Sequence, residues 1–391
     1  MTKNHMPSIS VALVVIFFLF TPVRAENVNV PDGMEQAIDR LVKSFEIDPS
    51  EPGIAVLINK PGHLLFMKGY GLASLKLKSP ITPKTVFELA SVSKTMTATA
   101  VLKLHERGEW SIQDDIRKYI PELPAYAPAH PIRLKDMLNH ISGLPSYFDL
   151  LENAPKPPVD YWSNESATAE FARQKKAFPL DFPTGAKYEY NNSNYMLMGT
   201  ALSRKLKRPF AALMRDEIFA PCGMKHTYVY ETPESVPALA TGCNHAIGYE
   251  WDSKKESWKA SWGCPPDRNE KDLEVGDGGI WTNLEDMLRW DTAIREHKLI
   301  KLATMKIALS PSKTGDGETN AYGLGWILYA NDDGVNYGFG HDGYWGGFST
   351  TYYNYLTQGH TVVLLSNRGR HIDLDKFWEK LDVIITKYSR K

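Results

Sequence analysis

The chain has 391 residues, enough for one large domain or two medium ones. Its 45 Lys and Arg nearly balance its 46 Asp and Glu, for a formal net charge of −1, so it carries neither a basic stripe for nucleic acid nor an acidic tail for a cationic partner. At 43% hydrophobic and 11% aromatic residues it is not a disordered chain and can bury a sizeable core.

The first 25 residues stand apart. Lys3 and His5 give a weakly basic start, Ile9 to Phe20 is an almost unbroken apolar run, and Val23-Arg24-Ala25 supplies small residues at cleavage-site positions. This is the pattern of a secretory signal. The apolar run is shorter than the roughly 20 residues that span a bilayer, so no stable membrane anchor is expected. The remaining unit, residues 26–391, is expected to be periplasmic or secreted.

From there the periodicity predicts a helix over residues 32–47, with apolar Met34, Ile38, Leu41, Val42 and Phe45 and with Asp32 as candidate N-cap. Two apolar runs, residues 53–59 and 63–69, are joined by Lys60-Pro61-Gly62, a β-hairpin signal. A helix carrying Lys94 is predicted to run to near Gly108, with shorter ones over 111–119 and 134–140. Residues 146–187 read as helices with long connections. Helices are predicted again over 195–206 and 210–218, then an irregular stretch over 227–272, then a helix over 283–294. Strands return over 322–329, 347–355 and 361–366, and a last helix over 373–388. Strands at both ends and helices between imply an α+β fold. Its antiparallel sheet draws on both chain ends, helices flank it, and a mostly helical region, approximately 95–270, is inserted.

Three cysteines punctuate the chain. An odd count leaves at least one unpaired. Cys222 reads as buried, whereas Cys243 and Cys264 flank a Trp- and Lys-rich loop and could pair in an oxidising compartment. None has metal-ligand spacing, and no cofactor is expected.

The chemistry centres on Phe87-Glu88-Leu89-Ala90-Ser91-Val92-Ser93-Lys94. One helical turn separates the Ser91 hydroxyl from the Lys94 amine and puts them on one face. A serine is a weak nucleophile until its proton is taken, and a neutral lysine can take it. Ser-x-x-Lys alone arises by chance roughly once or twice in a chain of this length. Ser310-Pro311-Ser312-Lys313 is a second copy, in a Pro/Gly-rich loop that opens no helix. Ser91 instead opens a helix, whose dipole favours developing negative charge, although an N-cap serine would look the same. Two later stretches add polar groups: Tyr190 with Asn192, and His341-Asp342-Gly343 ahead of a glycine-rich turn into a strand. Taken singly, each could be an ordinary loop or strand-end residue.

Taken in order, Ser91-x-x-Lys94, Tyr190-x-Asn192 and His341-x-Gly343 resemble the three signature elements of the serine β-lactamase and penicillin-recognising superfamily. The closer likeness is to its class C-like branch: class C β-lactamases, D,D-carboxypeptidases, D-aminopeptidases and esterases of that fold. Further matching segments are Ile132-Arg133-Leu134 to Leu144-Pro145, Pro183-Thr184-Gly185, Gly278-Gly279 with Trp281-Thr282, and Tyr322-Gly323-Leu324-Gly325-Trp326. Two look-alikes fail on order or context. Lys313-Thr314-Gly315 precedes the segment that the family's third element follows. Gly338-Phe339-Gly340-His341-Asp342-Gly343 fits a dinucleotide fingerprint but leads into a strand, not a helix.

The resemblance implies a catalytic set of Ser91, Lys94, Tyr190 and His341. Either neutral Lys94 or a Tyr190 phenolate is the base, and the two can act as one coupled unit. Neutralising an ordinary lysine at pH 7 costs roughly 4–5 kcal/mol, part of which burial could supply. Asn192 would bond a substrate amide and Lys94, and His341 would help protonate or orient the Tyr190 hydroxyl. The oxyanion hole would combine the N–H of Ser91 with that of Tyr344, and Gly343 would let substrate lie against the strand. His140 reads as a structural brace.

The implied substrate is a small molecule or peptide with an ester or amide carbonyl. Histidine at position 341, where a lysine would offer a permanent charge to a penicillin carboxylate, argues mildly against a dedicated β-lactamase. The expectation is a serine hydrolase of esters or D-amino-acid amides and peptides. The alternatives are a class C-like β-lactamase and a non-catalytic penicillin-binding-type protein. Tyr147, Phe148, Tyr161, Trp162, Trp258 and Trp262 are expected to wall an apolar acyl pocket. Oligomeric state leaves no signal in the sequence.

Overall fold

Apolar runs from the two ends of the chain meet in one sheet. The computed structural model describes residues 31–124, 131–155, 161–174, 180–236, 244–262, 272–330 and 336–389. The expected leader, and Cys243 with Cys264, lie outside the described residues. Six strands form the main sheet: β1 (Ile54–Lys60), β2 (His63–Tyr70), β3 (Ile327–Ala330), β4 (Asn336–Trp345), β5 (Phe348–Tyr355) and β6 (His360–Ser366). Their order is β3-β4-β5-β6-β1-β2, antiparallel throughout. The seam lies between β1 and β6, with Ile54 opposite Ser366 and Asn59 opposite Thr361.

Both faces of the central strands are covered, which explains why β1 and β6 read as apolar runs rather than alternating ones. On one face Ile54, Val56, Ile58, Val362 and Leu364 pack against helix α1 (Met34–Ser44) and helix α5 (Leu374–Ser389). On the other, Ala55, Leu57, Val363 and Leu365 join the larger core built around helix α2 (Ser93–Glu106). Helices α3 (Ser193–Leu206) and α4 (Leu284–Arg295) add to that second layer. This is the α+β architecture with an inserted, mostly helical part. Among the described residues no helix is long and apolar enough to cross a membrane.

Several local expectations are corrected. Helix α1 starts after Gly33, at φ 83°, and Asp32 makes no cap. Residues 111–119 hold only a 3-10 turn, Ile116–Lys118, because the Asp114 and Asp115 carboxylates bond nearby backbone N–H groups instead of leaving them to a helix. The helix from Phe210 stops at Met214 and continues through a π-helical turn, Arg215–Phe219. The stretch expected to be irregular contains a hairpin, Gly248–Asp252 with Ser257–Trp262, in which the Trp251 and Trp258 rings meet at 5.1 Å. Its turn, Ser253-Lys254-Lys255-Glu256, holds neither Gly nor Pro, so the usual signal is missing. Cys222 is free and only partly buried.

Candidate active site

Ser91 sits in a 3-10 turn, Ala90–Val92, that runs directly into α2. The residue before it, Ala90, holds φ at 48°, a left-handed conformation that costs a non-glycine residue about 1–2 kcal/mol. Glu88 fixes this turn. Its Oε2 accepts from the Ala90 N–H at 2.6 Å and its Oε1 from the Gly279 N–H at 2.9 Å, tying the nucleophile turn to the Gly278-Gly279 segment. Behind the turn, α2 is buried almost all round. Its threonine hydroxyls donate to backbone carbonyls: Thr95 to Val92, Thr99 to Thr95 and Thr97 to Gly276. These bonds let a polar sequence run through a core, although the buried Ser93 Oγ finds no partner.

Lys94 is wholly buried. Its Nζ lies 2.9 Å from Ser91 Oγ and donates to the Asp277 carbonyl at 2.7 Å. Burial pulls its pKa down to about 8, while the Asp277 and Glu88 charges work against that fall. Tyr190 stands over the same pair. The Lys94 amine is 5.1 Å from its ring centroid, and its phenol is hydrogen-bonded to the Ser91 side chain. Desolvation drives the Tyr190 pKa well above the ordinary phenol value, only partly offset by that bond.

His341 lies beside Tyr190, with ring centroids 6.1 Å apart, but its nitrogens are engaged elsewhere. Nδ1 is 2.6 Å from the Asp342 carbonyl, which can only accept, so Nδ1 carries the proton. Nε2 then accepts from the Tyr322 hydroxyl at 2.8 Å. Burial and the nearby Lys94 charge lower the His341 pKa to about 3, so the ring is neutral. The expected contact with the Tyr190 hydroxyl is thus replaced by a Tyr322–His341 pair. His140 is the brace expected of it. Its Nδ1 accepts from the Asn191 N–H at 3.1 Å, and its ring packs 4.4 Å from that of Tyr190.

His341, Gly343 and Tyr344 lie within strand β4, and Gly346-Gly347 is the glycine-rich turn that leads from it into β5. Gly343 faces the chain itself. A Cβ there would stand 2.5 Å from the Leu89 carbonyl and Thr350 Oγ1, and 2.9 Å from the Ser91 nitrogen. The missing side chain lets β4 press against the nucleophile turn, rather than making room for substrate as expected. Tyr344, the next residue, donates its hydroxyl to Glu250 at 2.6 Å.

Ser91 opens into a cleft with about 500 Å³ of empty space, including its mouth, which Asn192, Tyr147, Phe148, Tyr344 and Trp345 help to line. The Asn192 Oδ1 is buried without a partner, so it does not accept from Lys94 as expected, and the residue belongs to the cleft wall. Of the expected aromatic wall, Tyr147 and Phe148 are in place. Trp258 instead packs on Trp251, His371 and Arg368, and the Trp262 side chain lies outside the described residues. Lys313, of the second Ser-x-x-Lys, belongs to a two-residue strand, and Ser310 bonds to the Lys306 carbonyl. Sequence reasoning missed Glu88, Asp277 and Tyr322. Only the proximity of Glu88 to Ser91 in the chain offered a hint.

Seven expected site residues therefore gather around one hydroxyl. Known proteins are similar over most of the chain. It is 28% identical over 338 residues to penicillin-binding protein 4* of Bacillus subtilis, covering 82% of this chain and 69% of that protein. It is 26% identical over 292 residues to a D-aminopeptidase of Gluconobacter oxydans, covering 75% of this chain and 51% of that one, so it spans only about half of this second relative. The fold superposes on the penicillin binding protein from Bacillus halodurans with a TM-score of 0.71 at 22% identity, covering 89% of this chain and 98% of that one. The family model described as Beta-lactamase matches residues 35–384, and the chain belongs to that family of serine-hydrolase fold.

Proposed function

We propose that residues 26–391 form an exported serine hydrolase. It transfers the acyl group of an ester, or of a D-amino-acid amide or peptide, to Ser91 and then to water. Neutral Lys94 takes the Ser91 proton as Oγ attacks the carbonyl, and the resulting ammonium returns that proton to the leaving group. The N–H groups of Ser91 and Tyr344 hold the oxyanion. A water then attacks the acyl-enzyme, with Lys94 again accepting its proton. Asn192, with its unpartnered Oδ1, receives a substrate N–H.

The observation that carries this reading is the Lys94–Ser91 contact of 2.9 Å together with a Lys94 pKa of about 8. At pH 7, deprotonating such a lysine costs about 1.4 kcal/mol, against more than about 4 kcal/mol for a phenol raised above its ordinary value near 10. That difference favours Lys94 as the base, with Tyr190 passing protons between Ser91, Lys94 and the leaving group. Neutral His341 offers no fixed charge for a penicillin carboxylate, which favours esters and D-amino-acid amides over a class C-like β-lactamase.

A fluorophosphonate probe followed by intact-mass measurement tests the nucleophile. The wild type gains one adduct and Ser91→Ala none; equal labelling of both would sink the assignment. Kinetics on p-nitrophenyl acetate and butyrate, a D-Ala-D-Ala peptide, a D-amino-acid amide and nitrocefin then rank the substrates. Turnover of nitrocefin far above that of the esters and amides would favour the β-lactamase reading instead.

A further inference from the structure

Lys94 stands behind Ser91, and the other titratable side chains that line this cleft, its tyrosines aside, are acidic. Glu88, Asp272, Glu274 and Asp277 line it, and none of the described lining residues is basic. Three of these acids have clear structural attachments. Glu88 holds the Ala90 and Gly279 N–H groups, Asp277 Oδ2 accepts from the Tyr147 hydroxyl at 3.1 Å, and Asp272 bridges to Trp162 through its backbone. Glu274 is different. It is 9% exposed, and its Oε1 is buried without a hydrogen-bond partner. A buried carboxyl oxygen with nothing to accept from is costly, and a donor supplied by a ligand removes that cost.

The same cleft has an aromatic side. The Tyr147 and Phe148 rings meet at 4.2 Å, and Phe148 stacks on Trp345 at 5.6 Å and 22°. Carboxyl oxygens and aromatic faces around one space give an ammonium both acceptors and π faces.

We propose that this wall is a cation subsite, and that the substrate carries a primary ammonium which seats against Glu274 and the Phe148 and Trp345 rings while its carbonyl meets Ser91. The inference rests on the reading that Ser91 attacks a carbonyl in this cleft. Within that reading it selects unblocked amino-acyl substrates over N-acylated and carboxylate-bearing ones. Burial, with help from Asp272 and Asp277, raises the Glu274 pKa to about 8 in the empty cleft, so an arriving ammonium displaces a proton rather than meeting a bare buried charge.

Calorimetry on Ser91→Ala at pH 7 tests this without turnover. D-Alaninamide is expected to bind about ten-fold more tightly than N-acetyl-D-alaninamide. Glu274→Gln on the same background should erase most of that preference, and Phe148→Leu should narrow it even if the first variant folds poorly. Equal affinities, no binding of either amide, or a preference untouched in both variants would overturn the subsite. The two readings fail separately. Ser91-dependent labelling without amine preference would leave the hydrolase and remove the subsite. Amine preference without labelling would leave the subsite and remove the nucleophile.

Discussion

Gly343→Ala is the sharpest probe of how the site is held. The added methyl would stand 2.5 Å from the Leu89 carbonyl and Thr350 Oγ1, against an ordinary contact of about 3.4 Å or more. Strand β4 and the turn at Ala90–Val92 must therefore separate by roughly 1 Å. Overpacking of this kind costs about 1–3 kcal/mol. The bond from Thr350 Oγ1 to the Leu89 carbonyl, 2.7 Å in the wild type, would be lost or stretched, adding about 1 kcal/mol. A total of about 2–4 kcal/mol corresponds to a fall in Tm of roughly 3–5 °C for a domain of this size. The same displacement moves the Ser91 N–H away from Tyr344, and a misplacement of about 1 Å can lower a rate on the order of 100-fold. Scanning fluorimetry and the rate of fluorophosphonate labelling read the two effects. Gly278→Ala is the comparison, since a Cβ there meets nothing closer than 3.7 Å and should leave Tm within about 1 °C. A Gly343→Ala protein with unchanged Tm and labelling within about two-fold of wild type would refute the packing argument.

Other consequences follow from the charges. The rate of Ser91 acylation should rise with pH through an apparent pKa of about 8, set by Lys94. Glu88→Gln should move that limb to lower pH, because the Glu88 charge now holds Lys94 up; an unmoved or raised limb would contradict the assignment. His341 is neutral down to about 3, so the profile should lack an imidazole limb near pH 6.5, as pH-rate measurements on His341→Asn and wild type would reveal. Tyr322→Phe strands the buried His341 Nε2 and should cost about 1–3 kcal/mol in denaturant unfolding. Glu274 has a folded pKa, about 8, above its ordinary value of 4.5. Its unfolded form releases a proton first as pH rises, so the protein loses stability between about pH 4.5 and 8. Glu274→Gln should flatten that loss, read as Tm against pH.

The site was legible where its geometry is local. Ser91 and Lys94 are one helical turn apart, and that spacing alone brings their side chains together. Tyr190 and Asn192 were legible through order along the chain. What sequence could not display is the backbone that reaches in from afar. The Asp277 carbonyl meets Lys94 across 183 positions, and no residue type announces a carbonyl. Tyr322 looked like part of a glycine-rich strand, not the partner of His341. Glycines misled as well as helped. Those at 338, 340 and 343 imitated a dinucleotide fingerprint, but they lie in β4, where backbone or side-chain atoms of β5 press close enough to exclude a Cβ. The left-handed Ala90 was invisible for a related reason: alanine gives no sign that its neighbours will force φ positive.

The seam between β1 and β6 also fixes when this molecule can exist. Ile54 waits for Ser366, more than 300 positions later, and β5 with β4 can join only through β6. A nascent chain therefore holds the β1–β2 hairpin with an open, apolar edge until residues 361–366 have been made. Pairing over such separations is slow, and the waiting edge is prone to stick to other chains. Gly343 reaches the Ser91 turn only once that sheet closes, so a ribosome-stalled or truncated chain would carry Ser91 and Lys94 with no assembled cleft around them.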